Sequence, residues 1–298
     1  MAKRYADMAG DGGSNILGQV RSQGERLRAR LSGVRNVVAI TSGKGGVGKS
    51  VITASLAALL SQAGEKVGVL DADINGPSIG KMLGVRDQEV AMGADGLAPA
   101  IGPNGIRVMS MDLLLPGDDV PVTWDGPDQE AYVWRGTMEV GALREFLTDT
   151  VWGELSVLLL DLPPGAERLP NVTSLIPDLS GVVVVTIPSE VSLLVVRKAI
   201  TVARETGVPI IGVVENMAGY ACTHCGKEGA LFRSVGSAPP DLGIPHLGTV
   251  PFDPRLTEAA DRGTPFVLDN PDEPVSKILG EIAQQVRQFL KSKSEDAR

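Results

Sequence analysis

Short apolar runs rich in β-branched residues alternate along the chain with longer segments whose apolar residues recur at helical spacing. The short runs predict strands at 37–41, 67–70, 106–109, 157–160, 182–187 and 210–214. The longer segments predict helices at 51–60, 137–150 and 191–205. Strands that alternate with helices in this way predict an α/β fold, with a single domain built on a doubly wound, mostly parallel sheet.

The beginning of the chain differs from this pattern. Residues 1–35 start with a polar, glycine-rich stretch and then carry five arginines between Arg21 and Arg35. Apolar residues recur near helical spacing at 15–31, which predicts a short amphipathic helix. We therefore expect a partly flexible N-terminal extension, followed by the main domain over 36–298.

The last apolar pattern, from Val275 to Leu290, lies on one face of a predicted helix. Its polar face carries few basic residues, which favours a helix packed on the sheet over a membrane-targeting helix. Two stretches rich in glycine, proline and aspartate, 91–103 and 115–127, predict surface loops.

Composition limits the classes of partner. The net charge is −8, which argues against a general affinity for nucleic acid or for an anionic membrane surface. No apolar run approaches the ~20 residues that a membrane span needs, and the polar N-terminus is unlike a secretory signal. We therefore expect a cytoplasmic protein that has neither nucleic acid nor membrane as a partner.

The octapeptide at 43–50 matches the phosphate-binding pattern G-x-x-x-x-G-K-S/T, and it lies between a predicted strand and a predicted helix. Its glycines allow backbone N–H groups to point at phosphate oxygens, and the helix N-terminus adds partial positive charge. Lys49 is expected to reach the β- and γ-phosphates of ATP, and the Ser50 hydroxyl to coordinate Mg²⁺. The expected nucleotide-binding residues of the motif are Gly43, Lys44, Gly45, Gly46, Val47, Gly48, Lys49 and Ser50.

Three aspartates, Asp71, Asp73 and Asp161, follow apolar strands. Ligands of open α/β sheets bind at the carboxyl ends of strands, so all three are expected on the same edge as the phosphate-binding motif. Asp161 is expected to hold Mg²⁺ through a water molecule. Asp71 is expected in the Mg²⁺ shell or as a residue that orders the adjoining loop, and one of the carboxylates could orient the attacking water.

The only two cysteines, Cys222 and Cys225, form a C-x-x-C pair in a segment near 215–240. A catalytic dithiol would need a thioredoxin-like context, which is missing. A structural zinc site needs four ligands, and His224 and His246 are the only histidines. In a homodimer, two such pairs across a two-fold axis would supply the four thiolates of an iron–sulfur cluster. The spacing alone leaves zinc, iron–sulfur and a coincidental pair open.

The second lysine of the motif, Lys44, gives residues 42–50 a resemblance to the deviant Walker A of the MinD, ParA, nitrogenase iron protein and Mrp class of ATPases. The resemblance implies that Lys44 reaches across a dimer interface to the nucleotide of the partner. It also implies that Asp73, at the second acidic position, is the switch I aspartate that orients the attacking water.

An ordered set of motifs over about residues 30–290 resembles the Mrp/ApbC family. The motifs lie at 43–50, 71–78, 134–136, 161–165, 214–217, 222–225 and 247–254. This resemblance implies an ATP-binding carrier or scaffold for iron–sulfur clusters, with a 4Fe-4S cluster bridging a homodimer and transferred to apo iron–sulfur proteins. Cys222 and Cys225 would be the cluster ligands, and Asn216 would contact the adenine. The alternatives are a positioning ATPase like MinD or ParA, and an ATPase dimer with a structural zinc clasp.

The sequence departs from the family pattern at two places. The family usually has Thr-Gly-Asp where this chain has Ala166-Glu167-Arg168, in the expected switch II that senses the γ-phosphate. Its glycine-rich stretch after the cysteines is replaced at 232–237. We expect slow ATP hydrolysis and a client protein that differs from the usual ones.

Overall fold

A computed structural model describes residues 16–115, 117, 120, 131–221, 228–229, 231 and 242–296. Within these residues the helices are α1 (Ile16–Leu31), α2 (Lys49–Gln62), α3 (Ile79–Met82), α4 (Ala131–Asp149), α5 (Arg168–Leu175), α6 (Glu190–Glu205), α7 (Pro254–Asp261), α8 (Phe266–Asp269) and α9 (Pro274–Asp296). The strands are β1 (Val37–Ser42), β2 (Val67–Asp71), β3 (Met92–Gly93), β4 (Gly96–Leu97), β5 (Ala100–Ile101), β6 (Arg107–Met109), β7 (Val157–Asp161), β8 (Gly181–Thr186), β9 (Ile210–Ala221), β10 (Glu228–Gly229) and β11 (His246–Phe252).

Nine of these strands form one sheet in the order β10-β9-β8-β1-β7-β2-β6-β5, and β11 also pairs with β9. Parallel pairing joins seven of the strands, in the order β11, β9, β8, β1, β7, β2 and β6. The antiparallel pairs of the described sheet are β5 with β6 and β10 with β9. The predicted α/β fold with a mostly parallel sheet is confirmed.

Helices cover both faces of the sheet, because alternate residues of a buried strand point to opposite sides. On β1, Val38 and Ile40 pack into the layer that also contains the apolar residues of α2 and α9. Val37 and Ala39 pack into the opposite layer with those of α4 and α5. Every residue of β1 is buried, so the strand that precedes the phosphate-binding loop lies in the middle of the core.

The C-terminal helix α9 packs on the body of the domain through Val275, Leu279, Ile282 and Val286, which are all buried. Its neighbours are α2 and β11. The predicted packing of this helix on the sheet is therefore confirmed. None of the helices in the described ranges is long and apolar enough to cross a membrane.

Two parts of the sheet differ from the prediction. The strand expected at 210–214 continues to Ala221, and β11 had no predicted counterpart. In β11 only Leu247 and Val250 are buried, so the segment lacks the continuous apolar run by which the central strands are recognised. The stretch at 91–103, predicted as a loop, contains the three short strands β3, β4 and β5.

The helix predicted at 15–31 is α1, and it packs on α4. Leu27 is buried in the same core layer as α4. The Arg30 guanidinium donates from Nε to the Thr148 carbonyl at 2.7 Å. This part of the N-terminal extension is thus attached to the domain, whereas residues 1–15 and most of the loop predicted at 115–127 lie outside the described residues.

Candidate nucleotide-binding site

The phosphate-binding loop connects the end of β1 to the start of α2. Gly46 and Gly48 have φ angles of 76° and 81°, in the left-handed region that favours glycine. Gly45 and Gly46 are exposed at the tip of the loop. Gly48 also lies against the Asn216 amide group, where a Cβ atom would collide with it. The glycines therefore give the loop a shape that other residues would not adopt.

Asn216 on β9 holds this loop in place. Its side chain is buried, and Nδ2 donates to the Val47 carbonyl at 2.9 Å. The next residue, Met217, has a φ angle of 55°, an uncommon backbone conformation for a residue other than glycine. The structure thus places Asn216 against the phosphate-binding loop, while its predicted contact with adenine stays a prediction.

Asp161, at the end of β7, gathers three side chains of α2. Its Oδ2 atom lies 2.6 Å from Lys49 Nζ and accepts a hydrogen bond of 2.6 Å from the Ser50 hydroxyl. Its Oδ1 atom accepts a hydrogen bond of 2.6 Å from Thr53 Oγ1. Asp161 is fully buried and Lys49 is 7% exposed, so the ion pair is shielded from water and both carboxylate oxygens are satisfied.

This cluster brings together the three residues that the sequence predicted for the phosphates and Mg²⁺: Lys49, Ser50 and Asp161. Hydroxyl and carboxylate oxygens are ligands that Mg²⁺ prefers, and Mg²⁺ in nucleotide sites is usually held by one or two protein groups together with substrate phosphates. The residues present fit such an ion. Among the residues that the structure describes, no group of three or more His, Cys, Asp or Glu side chains could hold a metal.

Thr53 was not predicted, although its position offered a signal. It lies one helical turn after Lys49, whose carbonyl oxygen is 3.0 Å from Thr53 Oγ1, and it is a polar residue on the buried face of an apolar helix.

Asp71 ends β2 beside Asp161, since the two residues are register partners on neighbouring parallel strands. Its side chain is fully buried. It accepts hydrogen bonds from the backbone N–H groups of Asp73, Ser78 and Ile79 and from the Ser110 hydroxyl, at distances of 2.7 to 3.2 Å. Burial raises the pKa of Asp71 to about 7, and the nearby Asp161 carboxylate adds to this. These hydrogen bonds fit the loop-ordering alternative, while the place in the Mg²⁺ shell stays a prediction.

Asp73 lies in the loop that Asp71 orders. Burial raises the pKa of the Asp73 carboxyl group. The positive charge of Lys49 lowers this pKa, and the negative charge of Asp161 raises it further. All three aspartates therefore share the edge of the sheet at which Lys49 lies. A carboxylate with a raised pKa is a better proton acceptor near neutral pH.

Lys44 is half-buried and forms no ion pair with any other residue of the described ranges. The adjacent Gly43 packs against Val195 of α6. Val191 and Leu194 of the same helix are 69% and 55% exposed. Lys44, which has no ion-pair partner within the described ranges, therefore follows a residue that packs on α6, a helix with two exposed apolar side chains.

The predicted metal ligands Cys222 and Cys225 lie outside the described residues, as does His224. The strands on either side are described: Ala221 of β9 pairs with Glu228 of β10, and Tyr220 pairs with Gly229. His246 is an exposed residue of β11, with Nε2 at 3.3 Å from Thr249 Oγ1.

A glycine-rich loop after a central parallel strand, with aspartates at the ends of two neighbouring strands, defines a P-loop nucleotide-binding protein. The family model described as NUBPL iron-transfer P-loop NTPase matches residues 33–287. The chain belongs to this family, which confirms the predicted membership of the ATPase class that includes MinD and ParA.

Similar proteins carry related names. An iron-sulfur cluster carrier protein from Saccharolobus solfataricus is 42% identical over 277 residues, which cover 92% of this chain and 90% of the relative. A cytosolic Fe-S cluster assembly factor from Bos taurus, NUBP2, is 41% identical over 263 residues, or 86% of this chain and 93% of the relative.

Solved structures show the same fold. A nucleotide-binding protein from Archaeoglobus fulgidus, in complex with ADP, has a TM-score of 0.67 at 36% identity and covers 80% of this chain and 91% of its own. The cell division ATPase MinD from Pyrococcus furiosus has a TM-score of 0.60 at 23% identity. The match covers 85% of this chain and 99% of the MinD chain. The likeness to MinD concerns the fold alone.

Proposed function

We propose that this protein is an ATP-binding iron–sulfur cluster carrier. Two copies would hold a 4Fe-4S cluster between them and transfer it to apo iron–sulfur proteins, with slow ATP hydrolysis. The observation that carries the proposal is the course of β9. This one strand places Asn216 against the phosphate-binding loop and ends at Ala221, directly before Cys222. The names of the relatives from Saccharolobus solfataricus and Bos taurus support it.

The nucleotide chemistry follows from the side chains at the carboxyl ends of β1, β2 and β7. When nucleotide binds, Lys49 moves from its ion pair with Asp161 to the β- and γ-phosphates. Asn216 contacts the adenine. Ser50 and Asp161 would hold Mg²⁺, which would supply positive charge to neutralise the charge that develops on the phosphates. Asp73 orients the attacking water, for which its raised pKa suits it.

The homodimer is supported by the surface around Lys44. In this proposal Lys44 reaches the nucleotide bound by the second copy, and the exposed Val191 and Leu194 of α6 become buried. Each chain contributes Cys222 and Cys225, so two chains supply the four thiolates that an iron–sulfur cluster needs. The word cytosolic in the name of the bovine relative supports a cytoplasmic location.

Anaerobic reconstitution with iron and sulfide tests the proposal. We expect about four irons per dimer, a sulfur-to-iron absorption band, and loss of both in Cys222→Ala. His224→Ala is the matched control, because it alters one of the two residues between the cysteines and should retain the iron.

Two other outcomes would contradict the carrier function. A single zinc ion per dimer without the absorption band would indicate a structural zinc clasp. ATP-stimulated binding to lipid vesicles or DNA, unaffected by Cys222→Ala, would indicate a positioning ATPase.

A further inference from the structure

Glu139 of α4 binds both of the loops that follow β2 and β7. Its Oε1 atom accepts a hydrogen bond of 2.6 Å from Asn75 Nδ2. Its Oε2 atom lies 2.6 Å from Nη1 of Arg168. One carboxylate therefore connects the loop that contains Asp73 with the segment that follows Asp161.

The surroundings strengthen the contact with Arg168 more than the contact with Asn75, which is exposed. The Glu139 side chain is 12% exposed and that of Arg168 is 30% exposed, so water screens the pair less than it would a surface ion pair. Both hydrogen bonds are charge-assisted, which makes them shorter and stronger than neutral ones. Asn75 is two residues after Asp73, and Arg168 is the first residue of α5, so each contact lies close to a loop that faces the nucleotide.

Arg168 is one of the residues at which the chain departs from the Mrp/ApbC pattern, which has an aspartate here. A carboxylate at this position would be repelled by Glu139, whereas the guanidinium neutralises it. Within the described residues, Arg168 Nε is buried without a hydrogen-bond partner. Arg168 also lies 3.9 Å from the Glu167 carboxylate, which is exposed. The contact with Glu139 is shorter and more buried, so Glu139 is the stronger of the two ion-pair partners.

We propose that Glu139 is a positioning residue that holds the two nucleotide-facing loops at a fixed spacing, with Arg168 as its partner in the second loop. The inference rests on the proposed ATPase function. Among the residues that the structure describes, the hydrogen bonds and the ion pair of Glu139 are with Asn75 and Arg168, and not with residues 43–50, which make the predicted phosphate contacts. It acts through Asn75 and Arg168, and so sets where Asp73 stands relative to Asp161.

Steady-state ATP hydrolysis by Glu139→Ala tests this role. A small misplacement of reacting groups can lower a rate by up to about a hundredfold, so we expect kcat to fall roughly tenfold to a hundredfold. KM should change by less than about threefold, because binding through the P-loop is retained. Arg168→Lys, which keeps the positive charge, should retain more activity than Arg168→Gln.

The chain offers a matched control. Glu65 and Arg287 form an ion pair of the same length, 2.6 Å, between the segment after α2 and helix α9. Glu65→Gln should leave kcat and KM unchanged. An unchanged kcat in Glu139→Ala would overturn the proposal, and so would an equal loss of kcat in Glu65→Gln, which would indicate a general effect of lost ion pairs.

Amide hydrogen exchange gives a readout that needs no catalysis. Without nucleotide, Glu139→Ala should speed exchange in both 72–79 and 165–168, while Asn75→Ala should affect 72–79 more than 165–168. Unchanged exchange in both segments of Glu139→Ala would contradict the proposal. If the wild-type protein fails to hydrolyse ATP, the proposed function is wrong, while the exchange measurement still decides whether Glu139 holds the loops.

Discussion

At the scale of single residues, the ion pair between Lys49 and Asp161 is expected to affect both nucleotide binding and stability. Lys49→Ala removes the cation expected to face the β- and γ-phosphates, so we expect ATP binding to be abolished. It also leaves Asp161 buried without a counter-charge, which should lower the free energy of unfolding by about 3 kcal/mol. Isothermal titration calorimetry and urea unfolding measure the two effects.

Asp161→Asn in the Lys49→Ala background serves as the control. Removing the unpaired charge should restore part of the stability without restoring ATP binding. Equal stability of the wild-type protein and Lys49→Ala would show that the buried pair contributes no net stabilisation.

Lys44 is expected to behave differently, because it forms no ion pair in the described part of the chain and its predicted role lies in a second copy. Lys44→Ala should bind ATP as tightly as the wild-type protein and unfold at the same urea concentration. Its turnover should fall at concentrations at which the wild-type protein is dimeric. Normal hydrolysis by Lys44→Ala at those concentrations would show that the lysine has no role across the interface.

Sequence alone predicted those residues of this site that are recognised from their immediate neighbours in the chain. The motif at 43–50 and the aspartates at strand ends are recognised within a few positions of the chain. Thr53 and Ser110 were missed because their partners, Asp161 and Asp71, are 108 and 39 residues away. Such contacts depend on which strands become neighbours, and strand order is not contained in local patterns.

At the scale of elements, the same reasoning explains why β1, β2, β7 and β8 were predicted closely and β11 was not. The first four are buried on both faces and are therefore apolar along their whole length. β11 alternates buried with exposed residues and contains Pro251, a residue usually found at sheet edges.

The start of α7 provides a test of helix capping. Asp253 accepts a hydrogen bond of 2.9 Å from the backbone N–H of Arg255 and forms an ion pair with the Arg255 side chain at 2.7 Å. Asp253→Ala removes both the cap and the charge, and should lower the free energy of unfolding by about 1–2 kcal/mol. Asp253→Asn keeps a capping side chain and should cost only about 0.5 kcal/mol, since the Arg255 side chain is partly exposed.

The effect of Asp253 should depend on pH. Burial would raise the pKa of its carboxyl group, but hydrogen bonds from Arg255 outweigh burial and hold the pKa below its usual value. A lowered pKa in the folded state stabilises the protein above the pKa of the unfolded state, and this stabilisation is lost as the pH falls through the folded value. Urea unfolding should therefore show that wild type and Asp253→Asn become more alike from pH 7 to pH 3. A difference that grows on acidification would contradict this.

At the scale of the whole molecule, a cluster held by two chains is itself a contact between them. Anything that binds the dimer more tightly than the monomer stabilises the dimer by mass action. We expect the cluster-loaded protein to sediment as a dimer at concentrations at which the cluster-free protein partly dissociates. Analytical ultracentrifugation under argon, without nucleotide, measures this, with Cys222→Ala as the control. Identical dissociation constants with and without cluster would mean that the cysteines do not bridge two chains.

One continuous sheet contains both β1, which leads into the phosphate-binding loop, and β9, which leads to the cysteines, with only β8 between them. A protein of two lobes can report its nucleotide by closing about a hinge. Neighbouring strands of one buried sheet cannot rotate apart in this way without breaking the hydrogen bonds that they share along their length. A partner protein that distinguishes the nucleotide-bound from the nucleotide-free protein would therefore have to contact the loops on one face, because no relative movement of two lobes is available to it.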